Sequence, residues 1–132
     1  MTPEIFEARF LLGVAAMDTT HRQFIVQLQQ LQSAPKAEFI PLFAALFQHT
    51  VDHFETERGW MEQFRFPAIR EHTAEHERVL GELQRFNDRV AKGNIALGRA
   101  YIREQLPGWF ELHAQTMDSA LAATIKAAGG IS

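Results

Sequence analysis

Residues 69–80 are Ile69-Arg-Glu-His-Thr-Ala-Glu-His-Glu-Arg-Val-Leu80, in which two histidines are four positions apart. At this spacing, two side chains lie one turn apart on the same face of an α-helix. The histidines are His72 and His76, and apolar residues on the same face are Ile69, Leu80, Leu83 and Val90. The segment therefore predicts an amphipathic helix that turns two imidazoles toward the protein interior.

Three further groups of histidine and carboxylate residues fall on the predicted inner faces of other helices. These groups are His21, His53 with Glu57, and His113 with Asp118. The four groups together supply five imidazoles and two carboxylates. That is roughly twice the ligand set of one zinc ion and about that of two iron ions. Two carboxylates and a bridging hydroxide would offset much of the charge of two divalent cations, whereas buried alone they would be costly.

Two simpler interpretations compete with a centre of two metals. A lone histidine on an apolar helix face is usually a core residue, and a single zinc site formed by three of these residues is also possible. Under either of these interpretations, the placement of all four groups on inner helix faces would be a coincidence. A metal centre requires that placement and is therefore favoured. His49 lies one turn before His53 but at the edge of the inner stripe, so we expect it to be a boundary residue.

One spacing is irregular. His113 and Asp118 are five positions apart, which is about 140° around an ideal helix. Side chains separated by this angle do not converge on one centre. We therefore expect the helix to widen into a π-bulge between them, a feature often found at functional sites.

Caps, prolines and apolar periodicity predict four helices. The first begins after the candidate N-caps Asp18 and Thr19 and ends at residues 33–35. The second begins within residues 37–40, has Pro41 in its first turn, and ends near residue 63. The third opens at Pro67 and ends at residues 92–94. The fourth spans residues 96–127, with a kink at Pro107.

These elements predict the fold class. Long amphipathic helices joined by short loops are typical of an all-α, up-down-up-down antiparallel four-helix bundle. Residues 1–17 show no clear helical period, so we expect a non-helical N-terminal arm. Residues 1–132 would then form a single domain.

Composition narrows the classes of function. The chain has 132 residues, 46% of them apolar, which is enough for one compact core. Its net charge of −3 and the lack of a basic run argue against a nucleic-acid partner. The chain has no cysteine, which excludes disulfides and iron–sulfur clusters and suits a cytoplasmic protein. The apolar stretch 10–17 is too short to span a membrane, so we expect neither a signal peptide nor a membrane partner.

The order of these motifs resembles the hemerythrin family, specifically its single-domain bacterial members. The resemblance rests on His21, His53-Phe-x-x-Glu57, His72-x-x-x-His76 and Trp109-x-x-x-His113-x-x-x-x-Asp118. The segments Gly13–His21, Phe66–Pro67 and Tyr101–Arg103 match as well, so that the resemblance covers nearly the whole chain.

The resemblance implies a bundle that holds two non-haem iron ions with an oxo or hydroxo bridge. The ligand sets that it implies are His72, His76 and His113 for one iron, His21 and His53 for the other, and Glu57 and Asp118 as bridges. The iron with two histidines would keep an open position for dioxygen. Reversible dioxygen binding for storage, delivery or sensing would follow, in a monomer that is not an enzyme and has no catalytic residues.

Two other functions remain open for the same residues. One is an enzyme that consumes peroxide or nitric oxide, and the other is a regulatory module that senses dioxygen or iron. Ferritin-like sites fit less well, because they use more carboxylates. Ala114 departs from the family pattern, which often has a bulky aliphatic residue after the last histidine. If Ala114 faces the ligand pocket, small molecules would enter more freely and the oxygenated state would oxidise faster.

Overall fold

The computed structural model describes residues 2–131, which fold into α-helices without a β-strand. The helices are α1 (Pro3–Arg9), α2 (Ala15–Ser33), α3 (Lys36–Gln63), α4 (Ile69–Ala91), α5 (Ile95–Glu104), α6 (Leu106–His113) and α7 (Ser119–Ala127). A π-helical segment, Ala114–Asp118, joins α6 to α7. Within residues 2–131, none of the helices combines the length and the apolar character that crossing a bilayer requires.

Four rods form the bundle. Helices α2, α3 and α4 are three of them, and α5 to α7 with the π segment make the fourth. Connections of two to five residues join consecutive rods, which makes neighbours antiparallel. Helix α2 packs on α3, α3 on α4, α4 on α5, and α5 back on α2, which closes the ring. The all-α, up-down-up-down bundle predicted from the sequence is confirmed.

The apolar core is divided into two clusters. The larger contains a residue from each rod: Phe24, Phe54, Val79 and Phe110. The smaller contains Met17, Met61, Leu121 and, from the turn before α4, Phe66, and Ile69 of α4 packs against it. On α2, His21 lies between Met17 and Phe24, and on α3, Glu57 lies between Phe54 and Met61. The other two rods repeat this order. The polar residues therefore form one layer between two apolar clusters.

The first rod begins earlier than the sequence indicates. Helix α2 starts at Ala15, so Asp18 lies in its first turn and is not the N-cap. The Asp18 carboxylate accepts hydrogen bonds from the backbone N–H groups of Leu12 at 2.8 Å and Gly13 at 3.2 Å. Gly13 has a φ of 82°, which glycine adopts without strain. Asp18 thus fixes the turn that leads into the helix.

Part of the N-terminal arm is helical, which corrects the expectation of a non-helical arm. The Thr2 hydroxyl accepts a hydrogen bond from the Ile5 N–H at 3.2 Å and caps α1. Phe6 and Phe10 are four positions apart and almost fully buried in the larger cluster. Their packing against the bundle stabilises a helix that is too short to persist alone.

Two proline positions also differ from the prediction. The Pro35 carbonyl accepts hydrogen bonds from the N–H groups of Glu38 and Phe39, so α3 already begins at Lys36. Pro41 therefore lies in its second turn and not in its first. Pro67 belongs to the turn before α4, which begins at Ile69. The predicted ends of α3 and α4 are confirmed within about two residues, the usual precision of helix boundaries.

The fourth rod is interrupted twice, as predicted. Helix α5 ends at Glu104 and α6 begins at Leu106, because Pro107 has no N–H for the carbonyl of Arg103. Beyond α6 the backbone widens into the π segment, which brings His113 and Asp118 onto one face despite their five-residue spacing. The kink and the π-bulge are both confirmed.

Gly98 lets α5 lie close to α3 and α4. A Cβ there would come within 2.5 Å of Val90 Cγ2 and 2.9 Å of Phe39 Cε1, on two side chains that are fully buried. We expect Gly98→Ala to lower the free energy of unfolding by about 1–3 kcal/mol, the usual cost of overpacking. Gly108→Ala is the control, because a Cβ there meets no atom within 4 Å. Equal melting temperatures for the two variants would contradict this prediction.

Candidate metal centre

All seven candidate ligands come together in the polar layer. They form two overlapping groups, and within each group the ligand atoms lie within 4.8 Å of one another. The larger group is Glu57, His72, His76, His113 and Asp118, and the smaller is His21, His53 and Glu57. None of the seven is more than 8% exposed. The bundle thus collects four separate sequence motifs at one buried place.

Three imidazoles form one half of the layer. Nε2 of His76 lies 3.0 Å from Nε2 of His113. Oδ1 of Asp118 is 3.1 Å from Nε2 of both His72 and His113. Oε1 of Glu57 is 3.3 Å from Nε2 of His72 and 3.5 Å from Nε2 of His76. Three nitrogens and two oxygens therefore surround one point.

Two imidazoles form the other half. Nε2 of His21 lies 3.1 Å from Oδ2 of Asp118 and 3.7 Å from Oε2 of Glu57. Nε2 of His53 contacts the same Oε2 atom. Each carboxylate therefore turns one oxygen to each half of the layer. This half has one nitrogen fewer than the half described above.

The carboxylates control the ionisation of the histidines. Burial lowers the pKa of His21, but close contacts with Asp118 and Glu57 outweigh it and raise that pKa to about 10. The same balance raises the pKa of His72 to about 9. For His76 burial dominates, and its pKa is lowered to about 3. Without metal, protons on His21 and His72 balance the carboxylates, and cations that replaced them would release these protons.

The two carboxylates remain ionised despite their burial. Burial raises the pKa of Glu57, but the charge of His53 and contacts with His21 and His72 lower it well below its ordinary value. Contacts with histidines likewise lower the pKa of Asp118, against burial and the charge of Glu57. The layer therefore stabilises positive charge between two negative groups.

Several buried polar atoms of this layer have no hydrogen-bond partner. They are both ring nitrogens of His21 and His72, Nδ1 of His113, Oε1 of Glu57 and both carboxylate oxygens of Asp118. Neighbouring atoms lie close but are not aligned for hydrogen bonds, and unpaired buried groups are costly. Imidazole nitrogens with carboxylate oxygens suit transition metals such as iron, manganese or zinc. The donor set therefore fits a pair of metal cations.

Two aromatic rings orient histidines of the larger group. Phe54 lies parallel to His76, with ring centroids 3.7 Å apart and an interplanar angle of 3°. Trp109 stacks on His113 at 4.6 Å and 18°. Its indole N–H donates to Oε1 of Glu75 at 2.8 Å. From the sequence, Phe54 and Trp109 are expected only to pack in the core. The four-residue spacing of Trp109 and His113 is the signal that could have predicted the stacking of these two rings.

A small cavity lies against the layer. Its volume is about 10 Å³, roughly the room that one water-sized molecule requires. It is lined by Phe24, Thr50, His53, Phe54, Trp109, Phe110, His113 and Asp118. The Thr50 hydroxyl donates to the Leu46 carbonyl at 2.8 Å. Apart from the candidate ligands, the wall is therefore largely apolar and aromatic.

His49 and Ala114 lie outside this cavity. His49 is half-buried, with Nε2 at 3.1 Å from Oε1 of Gln23, as expected of a boundary residue. Ala114 is fully buried in the larger apolar cluster. It is not among the described residues that line the cavity. The condition for its effect on ligand entry, that it faces the pocket, is therefore not met.

The chain is similar to known proteins over most of its length. Residues 12–125 match the family model described as the hemerythrin HHE cation binding domain. A bacteriohemerythrin of Ralstonia nicotianae is 39% identical over 107 residues, which cover 81% of this chain and 77% of that protein. A bacteriohemerythrin of Aquifex aeolicus is 30% identical over 118 residues, which cover 84% of this chain and 88% of that protein. No solved structure matches significantly. The chain belongs to the hemerythrin family.

Proposed function

We propose that the protein binds dioxygen reversibly at a centre of two non-haem iron ions and does not turn it over. The supporting observation is the division of the carboxylate oxygens. Oε1 of Glu57 and Oδ1 of Asp118 face the half with three histidines, whereas Oε2 and Oδ2 face the half with two. One iron would have five protein ligands and the other four. The second iron can therefore accept a small ligand.

The surroundings of the centre favour binding over turnover. When bound, two ferrous ions supply the electrons that hold dioxygen and recover them on its release. Among the described residues, the candidate ligands are the only titratable side chains that line the cavity. Without a further acid or base nearby, protons that would convert a bound ligand into a reduced product are delivered slowly. Phe24, Phe54 and Phe110 keep bulk water away from the same place.

Iron loading without oxygen, followed by cycles of dioxygen and inert gas, tests this proposal. We expect two irons per chain, one for each group of ligands. We also expect a visible absorption band that appears with dioxygen and fades when it is removed. The reversible band should persist in His49→Ala and be lost in His53→Ala, because the two histidines lie one turn apart on α3 and only His53 contacts Glu57.

Three outcomes would contradict the proposal. One is direct and irreversible oxidation of the ferrous protein by dioxygen. Another is steady-state consumption of peroxide or nitric oxide at rates typical of an enzyme. The third is a single bound cation per chain, which would favour the single-zinc interpretation. Storage, delivery and sensing share the reversible binding step.

A further inference from the structure

A surface groove and the interior cavity share a wall. The groove has a volume of about 260 Å³ and is lined by Glu75, Trp109, Leu112, His113, Thr116 and Met117. Two of these residues, Trp109 and His113, also line the interior cavity. His113 is a candidate ligand and would be immobile with metal bound. Trp109 is therefore the part of the shared wall that can move.

A single polar contact holds the Trp109 indole in place. The ring is half-buried, and its N–H donates to Oε1 of Glu75 at 2.8 Å. Arg78 holds the Glu75 carboxylate in turn, with Nη2 at 2.7 Å from Oε1 and Nε at 3.1 Å from Oε2. The plane of the indole stacks on His113. Glu75 is not a candidate ligand, so replacing it would break the polar contact of the indole and leave only the stack on His113 to hold the ring.

The backbone that carries Trp109 is interrupted on both sides. Helix α6 has eight residues and lies between the break at Gln105 and the π segment 114–118. Gln105 has φ −112° and ψ −54°, which is outside regular helix geometry. Interruptions of the hydrogen-bond ladder are where helices bend. The segment with Trp109 can thus adjust more readily than the continuous rods α3 and α4.

A second groove offers a weaker route. Its volume is about 250 Å³, and it shares only Phe54 with the interior cavity. Phe54 is 5% exposed, lies within the uninterrupted helix α3 and stacks on His76 at 3.7 Å. To open this route, a core ring would have to leave a stack that is closer and more nearly parallel than that of Trp109 on His113, which is at 4.6 Å and 18°. The wall at Trp109 is therefore the easier one to open.

We propose that Trp109 is the gate through which small uncharged ligands such as dioxygen reach the centre, and that Glu75 is the latch that holds it closed. Swinging of the indole away from Glu75 would connect the groove with the interior cavity. Trp109 touches the ligand path, whereas Glu75 is a positioning residue that acts through it. The ligand that passes depends on the proposed function, but the latch itself does not.

The latch is tested in the metal-free protein by hydrogen exchange of the indole N–H groups, followed by NMR. The chain has two tryptophans, so that Trp60 serves as an internal reference. We expect Glu75→Ala to speed exchange at Trp109 about tenfold, a change of about 1.4 kcal/mol in the opening equilibrium. Glu75→Gln keeps an acceptor oxygen and should restore slow exchange. Unchanged exchange in Glu75→Ala would overturn the latch.

Helix α3 provides a matched control. Glu55 pairs with Arg58, which also pairs with Glu62, in the same spacing as Glu75, Arg78 and Glu82 on α4. Among the described contacts, Glu55 has no hydrogen bond to a tryptophan. Glu55→Ala therefore removes an equivalent surface ion pair and should leave exchange at Trp109 unchanged. Equal acceleration in both alanine variants would overturn the latch.

The gate is tested in the iron-loaded protein by dioxygen association and dissociation rates. Glu75 does not line the interior cavity, so its loss lowers the barrier without changing the bound state. We expect both rate constants to rise by the same factor in Glu75→Ala, up to about tenfold, with Kd unchanged. Unchanged rates, or a change confined to dissociation, would overturn the gate. If dioxygen is not held reversibly, the proposed function fails, and nitric oxide association rates in the same variants decide the gate.

Discussion

We expect Glu57→Gln to lower the metal content from the proposed two cations per chain to at most one and to abolish the proposed dioxygen-dependent band. Glu57 is fully buried and turns one oxygen to each group of histidines. Glutamine has nearly the same shape, but it has lost the negative charge and one acceptor oxygen. Outer-shell substitutions already weaken metal binding by 10–100-fold, so loss of a bridging ligand should exceed about 100-fold.

The control for this substitution is Glu55→Gln, two positions earlier on the same helix. The Glu55 side chain is 65% exposed and pairs with Arg58. Metal analysis after equal loading should return the full complement for Glu55→Gln. Far-ultraviolet circular dichroism would show that both variants remain helical. Full metal content in Glu57→Gln would exclude Glu57 as a bridge.

We expect removal of the two proposed cations to lower the melting temperature by about 25 °C. Two cations, each held at a thousandfold excess over its Kd, would stabilise the fold by about 8 kcal/mol in total. A domain of this size shifts by about 3 °C for each kcal/mol. The physical reason is the number of buried polar atoms that have no partner in the layer without metal.

Calorimetry on the loaded and the chelated protein measures this difference. In Glu57→Gln, metal loading should raise the melting temperature much less than in the wild type, because one or both cations no longer bind. Gly108→Ala should keep the full increase in melting temperature on metal loading, since a Cβ at this position contacts nothing within 4 Å. Equal melting temperatures for loaded and chelated wild-type protein would contradict the prediction.

The positions of the rods could largely be predicted, whereas some helix starts could not. The apolar period of α4 and the proline at position 107 are local signals, and both matched the structure. The sequence predicts Asp18 as an N-cap, whereas in the structure its carboxylate accepts from the N–H groups of Leu12 and Gly13 in the preceding turn. The role of the Asp18 carboxylate depends on how the N-terminal arm packs, since Phe6 and Phe10 of that arm are buried against the bundle.

Six of the seven candidate ligands could be found from their spacing, because helical period is a local property, whereas His21 was placed only by its predicted helix. His53 with Glu57 and His72 with His76 share helix faces at a separation of four residues. The separation of five residues between His113 and Asp118 predicts the π-bulge that the structure contains. Their role as metal ligands stays a prediction, although the bundle brings all seven together.

Other features depend on contacts between rods that are distant along the chain. Which oxygen of Glu57 faces which histidines follows from the relative placement of α2, α3 and α4. The bond from Trp109 to Glu75 spans 34 positions, and the cavity beside it needs side chains from three rods. No periodicity encodes such distances. They arise when the two apolar clusters pack and the polar layer closes between them.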